Sequence, residues 1–197
     1  MTSKPFLRAA AHGVLTLAAA FSSAQAATLA ADSSWTEFLV NADQGPAYSL
    51  EWLTSFEDST PAHFSFTIAS GFTGSLTVLD TGISGDRFIV KNQGVALGQE
   101  TSVGVEGTPL LEGSSVADFE LALANSAYSR GVYTLQAGSY DISGILSSSV
   151  KLDGSPMNVT TGGIALTVSA VPEPATLLSL LAGLSLIALR RRNAAQQ

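Results

Sequence analysis

The chain has 197 residues, 13% of them charged, a formal net charge of −7 and no cysteine. That length suits one domain once both ends are set aside, and the missing cysteines exclude disulfides, thiolate metal sites and cysteine nucleophiles. Between Ala27 and Val171 there are 15 acidic and 4 basic residues, a net −11, and so acidic a surface repels nucleic acid and anionic headgroups while admitting cations and neutral sugars.

The N-terminus reads as an address. Lys4 and Arg8 give a short positive region, Val14 to Phe21 an apolar run, and Ala24-Gln25-Ala26 an A-x-A cleavage pattern. This order is that of a secretory signal peptide spanning residues 1–26, helical in its apolar part, with cleavage after Ala26 by signal peptidase. The route is then the general secretory translocon, and the mature chain keeps one histidine, His63.

From Ala27 to Ala170 the pattern is that of strands. Ala27 to Ser34 reads as a loose leader. In His63 to Ala69, Phe64, Phe66 and Ile68 alternate with Ser65 and Thr67, which is a half-buried strand. The same alternation occurs over Ser75–Leu79, Asp86–Lys91, Asp118–Leu123, Gly131–Leu135, Tyr140–Ile142 and Gly163–Val168. In Asp118–Leu123 it places Phe119, Leu121 and Leu123 inward. Thr81 to Gly85 is a glycine-containing loop, and Asn92-Gln93-Gly94 is a hairpin turn. The stretches around Ser147–Ser149 and Gly154–Thr161 read as loop or edge. Many short antiparallel strands with frequent turns predict an all-β domain over residues 27–170, an antiparallel β-sandwich or jelly-roll-like fold.

Residues 171–197 form a second address. Pro172 and Pro174 flank Glu173 and keep a helix from running back into the domain. Ala175 to Leu189 carries no charge and holds seven leucines. As a helix those residues span roughly 22 Å, against about 30 Å for a bilayer core. Insertion is thus favourable but marginal, as suits a temporary single transmembrane helix over 175–189. Arg190, Arg191 and Arg192 stop the span and stay cytoplasmic, which puts the domain on the outer side, as the signal peptide also does.

Val171-Pro172-Glu173-Pro174, the apolar helix and the terminal arginines together resemble the PEP-CTERM sorting signal. The resemblance covers about 25 residues. It implies a Gram-negative-type bacterium, processing by an exosortase that recognises Pro172, Glu173 and Pro174, and a setting of exopolysaccharide, biofilm or floc. Leu76 to Ser102 also resembles a stretch common in PEP-CTERM passenger domains, through its Gly-Asp-Arg-Phe turn and Asn-x-Gly hairpin. That implies a shared scaffold and no activity.

Motifs for chemistry are sparse. Gly82-Ile83-Ser84-Gly85 is one residue short of a nucleophile elbow and is not set between a strand and a helix. A serine triad would have to use His63, which sits at a strand edge. Most of the acidic residues read as turn or solvent-facing positions, although fifteen of them always contain some pair suited to glycoside hydrolysis. Calcium prefers carboxylate and carbonyl oxygens on turns, so Asp80, Asp86 and Asp141 are its candidates, but no EF-hand or calcium repeat is present; no other cofactor is implied. Trp35, Tyr48, Trp52, Phe56 and Tyr128 are the candidates for a sugar-stacking face.

These observations predict a non-enzymatic exported protein, structural or adhesive within an extracellular polysaccharide. It is held briefly in the inner membrane with its domain on the periplasmic side, then passes to the cell surface or matrix. Two alternatives are a carbohydrate-binding module for that polysaccharide, marked by exposed aromatics, and a secreted hydrolase, marked by two acids facing each other in a cleft.

Overall fold

The computed structural model describes residues 26–42, 50–55, 60–103, 115–116, 118–157, 159–171 and 184. The expected signal peptide, apart from Ala26, and the expected span 175–189, apart from Leu184, lie outside them. Among the described residues no helix is long and apolar enough to cross a membrane.

The elements in chain order are β1 (Ala27–Thr28), β2 (Asp32–Asn41), β3 (Phe64–Ile68), β4 (Phe72–Ile83), β5 (Arg87–Asn92), β6 (Val95–Ala96) and β7 (Ser115–Val116). They continue with α1 (Phe119–Ala124), β8 (Arg130–Leu135), β9 (Gly138–Ser148), β10 (Lys151–Leu152), β11 (Ser155–Pro156) and β12 (Val159–Ala170). One sheet runs β1-β3-β9-β5-β6. The other runs β2-β12-β4, and β4 pairs on its far side with β7 near Gly82 and with β8 from Gly74 to Leu79. Every pairing is antiparallel except β1 with β3. The result is all-β with two sheets, consistent with a β-sandwich.

Alternation explains the core between the sheets. Phe64, Phe66, Ile68, Phe88, Val90, Ile142 and Leu146 come from the first sheet, and Phe38, Val40, Leu76, Val78, Ile164 and Leu166 from the second. Each set occupies every other position of its strand, as period-2 geometry requires. Trp52 fills the middle, stacked on Phe38 with ring centroids 3.9 Å apart. The turn after β5 is made by Gln93 and Gly94, with φ of 50° and 81°, the left-handed pair that a tight hairpin demands.

Several expectations are corrected. Asp118–Leu123 is not a strand but the cap and body of α1. The Asp118 carboxylate accepts the backbone N–H groups of Glu120 and Leu121 at 2.9 and 3.2 Å, and the residues that follow are mostly strong helix formers. Over six residues an alternating pattern also satisfies a helical one. Phe119 and Leu123 pack with buried Ala122 over the outer face of the second sheet, whereas Leu121 is 63% exposed.

Ala27–Ser34 is not a loose leader. Ala27 N–H donates to the His63 carbonyl at 2.8 Å, Leu29 N–H to Ser65 at 3.0 Å, and β2 begins at Asp32. Backbone pairing and one buried side chain, Leu29, hold this segment, so it has no alternation to read. The stretches expected as loop or edge around Ser147–Ser149 and Gly154–Thr161 are partly strand. β9 reaches Ser148, β10 and β11 form a hairpin, and β12 starts at Val159.

Candidate functional site

The turn from β4 into β5 carries the polar residues that matter most. β4 delivers Asp80 and Thr81 to one end of the sandwich. Gly82 and Gly85, with φ of 71° and 115°, turn the chain back, and Asp86 leads into β5. Asp80, Thr81, Ser84, Asp86, Thr101, Ser129 and Thr160 are the buried polar side chains among the described residues. Asp80, Asp86, Thr101, Ser129 and Thr160 among them are linked by hydrogen bonds. The Asp80 N–H donates to the Ser129 carbonyl at 2.8 Å. The Ser129 and Thr101 hydroxyls are 2.7 Å apart, and Thr101 Oγ1 accepts the Phe88 N–H at 2.9 Å. Thr81 and Thr161 share a hydroxyl contact at 2.8 Å.

Within this layer the two carboxylates differ. Asp80 Oδ2 accepts the N–H groups of Gly85 and Asp86 at 2.9 and 3.2 Å. Its Oδ1 is buried with no hydrogen-bond partner. Asp86 Oδ1 accepts the Val150 N–H at 2.8 Å, and Thr160 and Ser149 also bond its carboxylate. Burial, then the nearby Asp86 charge, pushes Asp80 well above the ordinary carboxylate range, because a desolvated charge is disfavoured. Burial raises Asp86 as well. Tyr128, whose hydroxyl donates to the Gly82 carbonyl at 3.1 Å, is raised to about 12 by burial and by Asp80.

Of the three acids expected at turns, the structure brings Asp80 and Asp86 together and leaves Asp141 elsewhere. Asp141 lies within β9, not at a turn; that strand is 11 residues long, and its burial alternates from Ile142 to Leu146. Its carboxylate contacts His63 Nδ1 at 3.0 and 3.2 Å. Among the described residues no three acidic or histidine side chains converge as metal ligands. Asp80 and Asp86 stand beside the β4–β5 turn, and both are buried and not solvent-facing. Their shielding comes from Ser129, Val150 and Thr160, distant in the chain, which no local pattern announces.

His63 borders a cleft of about 210 Å³ that also exposes Glu51, Lys91 and Ser143. Its Nδ1 faces Asp141, but no serine hydroxyl bonds the ring among the described residues, so a triad is not assembled. Two of the five candidate stacking aromatics are inside, and Trp35 is half-buried. Trp52 and Tyr128 are buried. Trp35 stacks on Phe119 at 5.3 Å and its Nε1 donates to Glu120 at 2.9 Å. Tyr48 and Phe56 lie outside the described residues.

At the other end of the chain, β12 pairs with β4 down to Ala170 opposite Phe72, and Val171 N–H donates to the Gly71 carbonyl at 2.8 Å. The next residues are Pro172-Glu173-Pro174. These, with Arg190, Arg191 and Arg192, lie outside the described residues, as does Ala24 of the expected N-terminal cleavage pattern; Ala26 is the first described residue. The family model of the PEP-CTERM protein-sorting motif matches residues 170–192. The chain carries a PEP-CTERM sorting signal. That signal marks an exported protein with a membrane-anchored C-terminal tail before processing, and an exosortase as the processing partner. The PEP-CTERM match begins on the last residue of β12, so the sorting signal starts on a strand that β4 pairs through Ala170. No curated protein matches the chain. Among solved structures it is similar to the pre-peptidase C-terminal domain of a collagenase from Bacillus anthracis, with 9% identity, 73% of this chain and 95% of that one covered, and a TM-score of 0.32. That similarity is too slight to bear on function.

Proposed function

We propose that this chain is a non-enzymatic passenger of the exosortase route, structural or adhesive within an extracellular polysaccharide. The domain runs from Ala27 to Ala170. Signal peptidase cuts after Ala26, and the exosortase reads Pro172, Glu173 and Pro174 while residues 175–189 hold the chain in the inner membrane and Arg190–Arg192 stop it. The observation that carries this reading is the PEP-CTERM match beginning where β12 ends. Such a junction lets the tail be cut without opening the sheet.

The polypeptide between Ala27 and Val171, at net −11, is suited to a hydrated matrix and not to anionic membrane surfaces. The burial of Trp52 and Tyr128 favours a structural role over a stacking carbohydrate-binding face. The test is to follow the released domain in its host. Retention in the matrix, lost when the polysaccharide is removed, supports the reading. A domain that washes freely into the medium, leaving the matrix unchanged, overturns it.

A further inference from the structure

We propose that Asp80 and Asp86 hold a hard divalent cation, calcium by its chemistry, inside the buried polar layer at one end of the sandwich. The proposal does not depend on the matrix reading. It starts from an unmet valence: Asp80 is fully buried, its Oδ2 is doubly bonded by backbone N–H groups, and its Oδ1 has no partner. Buried polar atoms are almost always paired, so this oxygen asks for a ligand.

Charge points the same way. Two carboxylates share the layer, and neither has an ion-pair partner among the described residues. Arg87, beside Asp86 in the chain, reaches Glu100 at 3.5 Å, and Arg130 donates to the Leu123 carbonyl at 2.8 Å. Buried carboxylates without a counter-charge are strongly unfavourable.

Without metal a proton is the simplest remedy, and a cation is the one that neutralises both carboxylates at once. A proton on Oδ2 would meet the two N–H donors already there. A cation satisfies the oxygen and the charge together.

The donor set selects the ion. It consists of two carboxylates and the Ser149 and Thr160 side chains that bond Asp86, with no third acid or histidine among the described residues. Zinc prefers nitrogen and sulfur ligands, whereas calcium accepts carboxylate, carbonyl and water oxygens in variable number. Calcium sites of extracellular modules bind at about 0.1–1 mM.

The test uses the full-length chain in mild detergent, stripped with chelator and desalted. Adding 10 mM calcium chloride is expected to raise Tm by about 3–6 °C. Asp80→Asn and Asp86→Asn should each abolish the shift, while Asp141→Asn keeps it. Equilibrium dialysis of the unsubstituted chain with radioactive calcium should find one ion per chain, which keeps the test open if a variant fails to fold. No calcium-dependent shift and no bound ion, or a shift that survives both Asp80→Asn and Asp86→Asn, overturns the proposal.

Discussion

Gly144 of β9 lacks a side chain where the indole ring of Trp52 lies against the strand, and a Cβ at that position would collide with Trp52 Cε2. Across the core, Gly162 of β12 makes the same allowance for Phe38. The two stacked rings therefore sit between two bare stretches of backbone, one in each sheet. Gly144→Ala should destabilise the domain by about 1–3 kcal/mol, because a fused ring in a packed core has nowhere to move. Urea unfolding followed by tryptophan fluorescence measures the change. An unaltered midpoint would mean that the ring has free space.

α1 depends on its cap. Asp118 supplies the oxygen that its first N–H groups need, and Asp118→Ala should cost about 1 kcal/mol. Asp118→Asn, which keeps an acceptor, should cost less. Trp35 reports on the helix through its stacking on Phe119 and its bond to Glu120. A near-ultraviolet circular dichroism change in the alanine variant, smaller in the asparagine one, is the expected outcome.

The buried acids set a pH dependence in metal-free buffer. Asp80 and Asp86 are raised above their ordinary 3.8 in the folded chain. The folded state thus holds protons that the unfolded state has released, and the stability these two groups contribute is fully present below 3.8 and is lost as pH rises through the raised values. Asp80→Asn removes the more strongly raised of the two acids and should flatten this decline. Thermal unfolding across that range, for both chains, checks it; parallel curves would contradict it.

Much of the sandwich was legible from alternation alone. Phe64, Phe66 and Ile68 face the core because one side of β3 is dry and the other is not. The hairpin at Gln93-Gly94 was legible because left-handed backbone favours such residues. The short helix was not, since Phe119, Leu121 and Leu123 alternate as in a strand while Phe119, Ala122 and Leu123 share a helical face. β1 was hidden for a different reason: its hydrogen bonds to β3 carry no side-chain pattern. At the candidate site the residue types of Asp80 and Asp86 were legible, and their burial was not. Ser129, Val150 and Thr160 create it, and they meet the turn only through the fold. The sorting tail needed no tertiary information, because its order of prolines, leucines and arginines is itself the signal.

The decisive measurement is the intact mass of the protein from its native host, with and without the exosortase gene. A mass ending near Pro172–Pro174 in the unaltered host, and a chain retaining Arg190–Arg192 in the inner membrane of the mutant, is the expected result. A full-length tail in both strains would contradict exosortase processing and make the tail a permanent anchor.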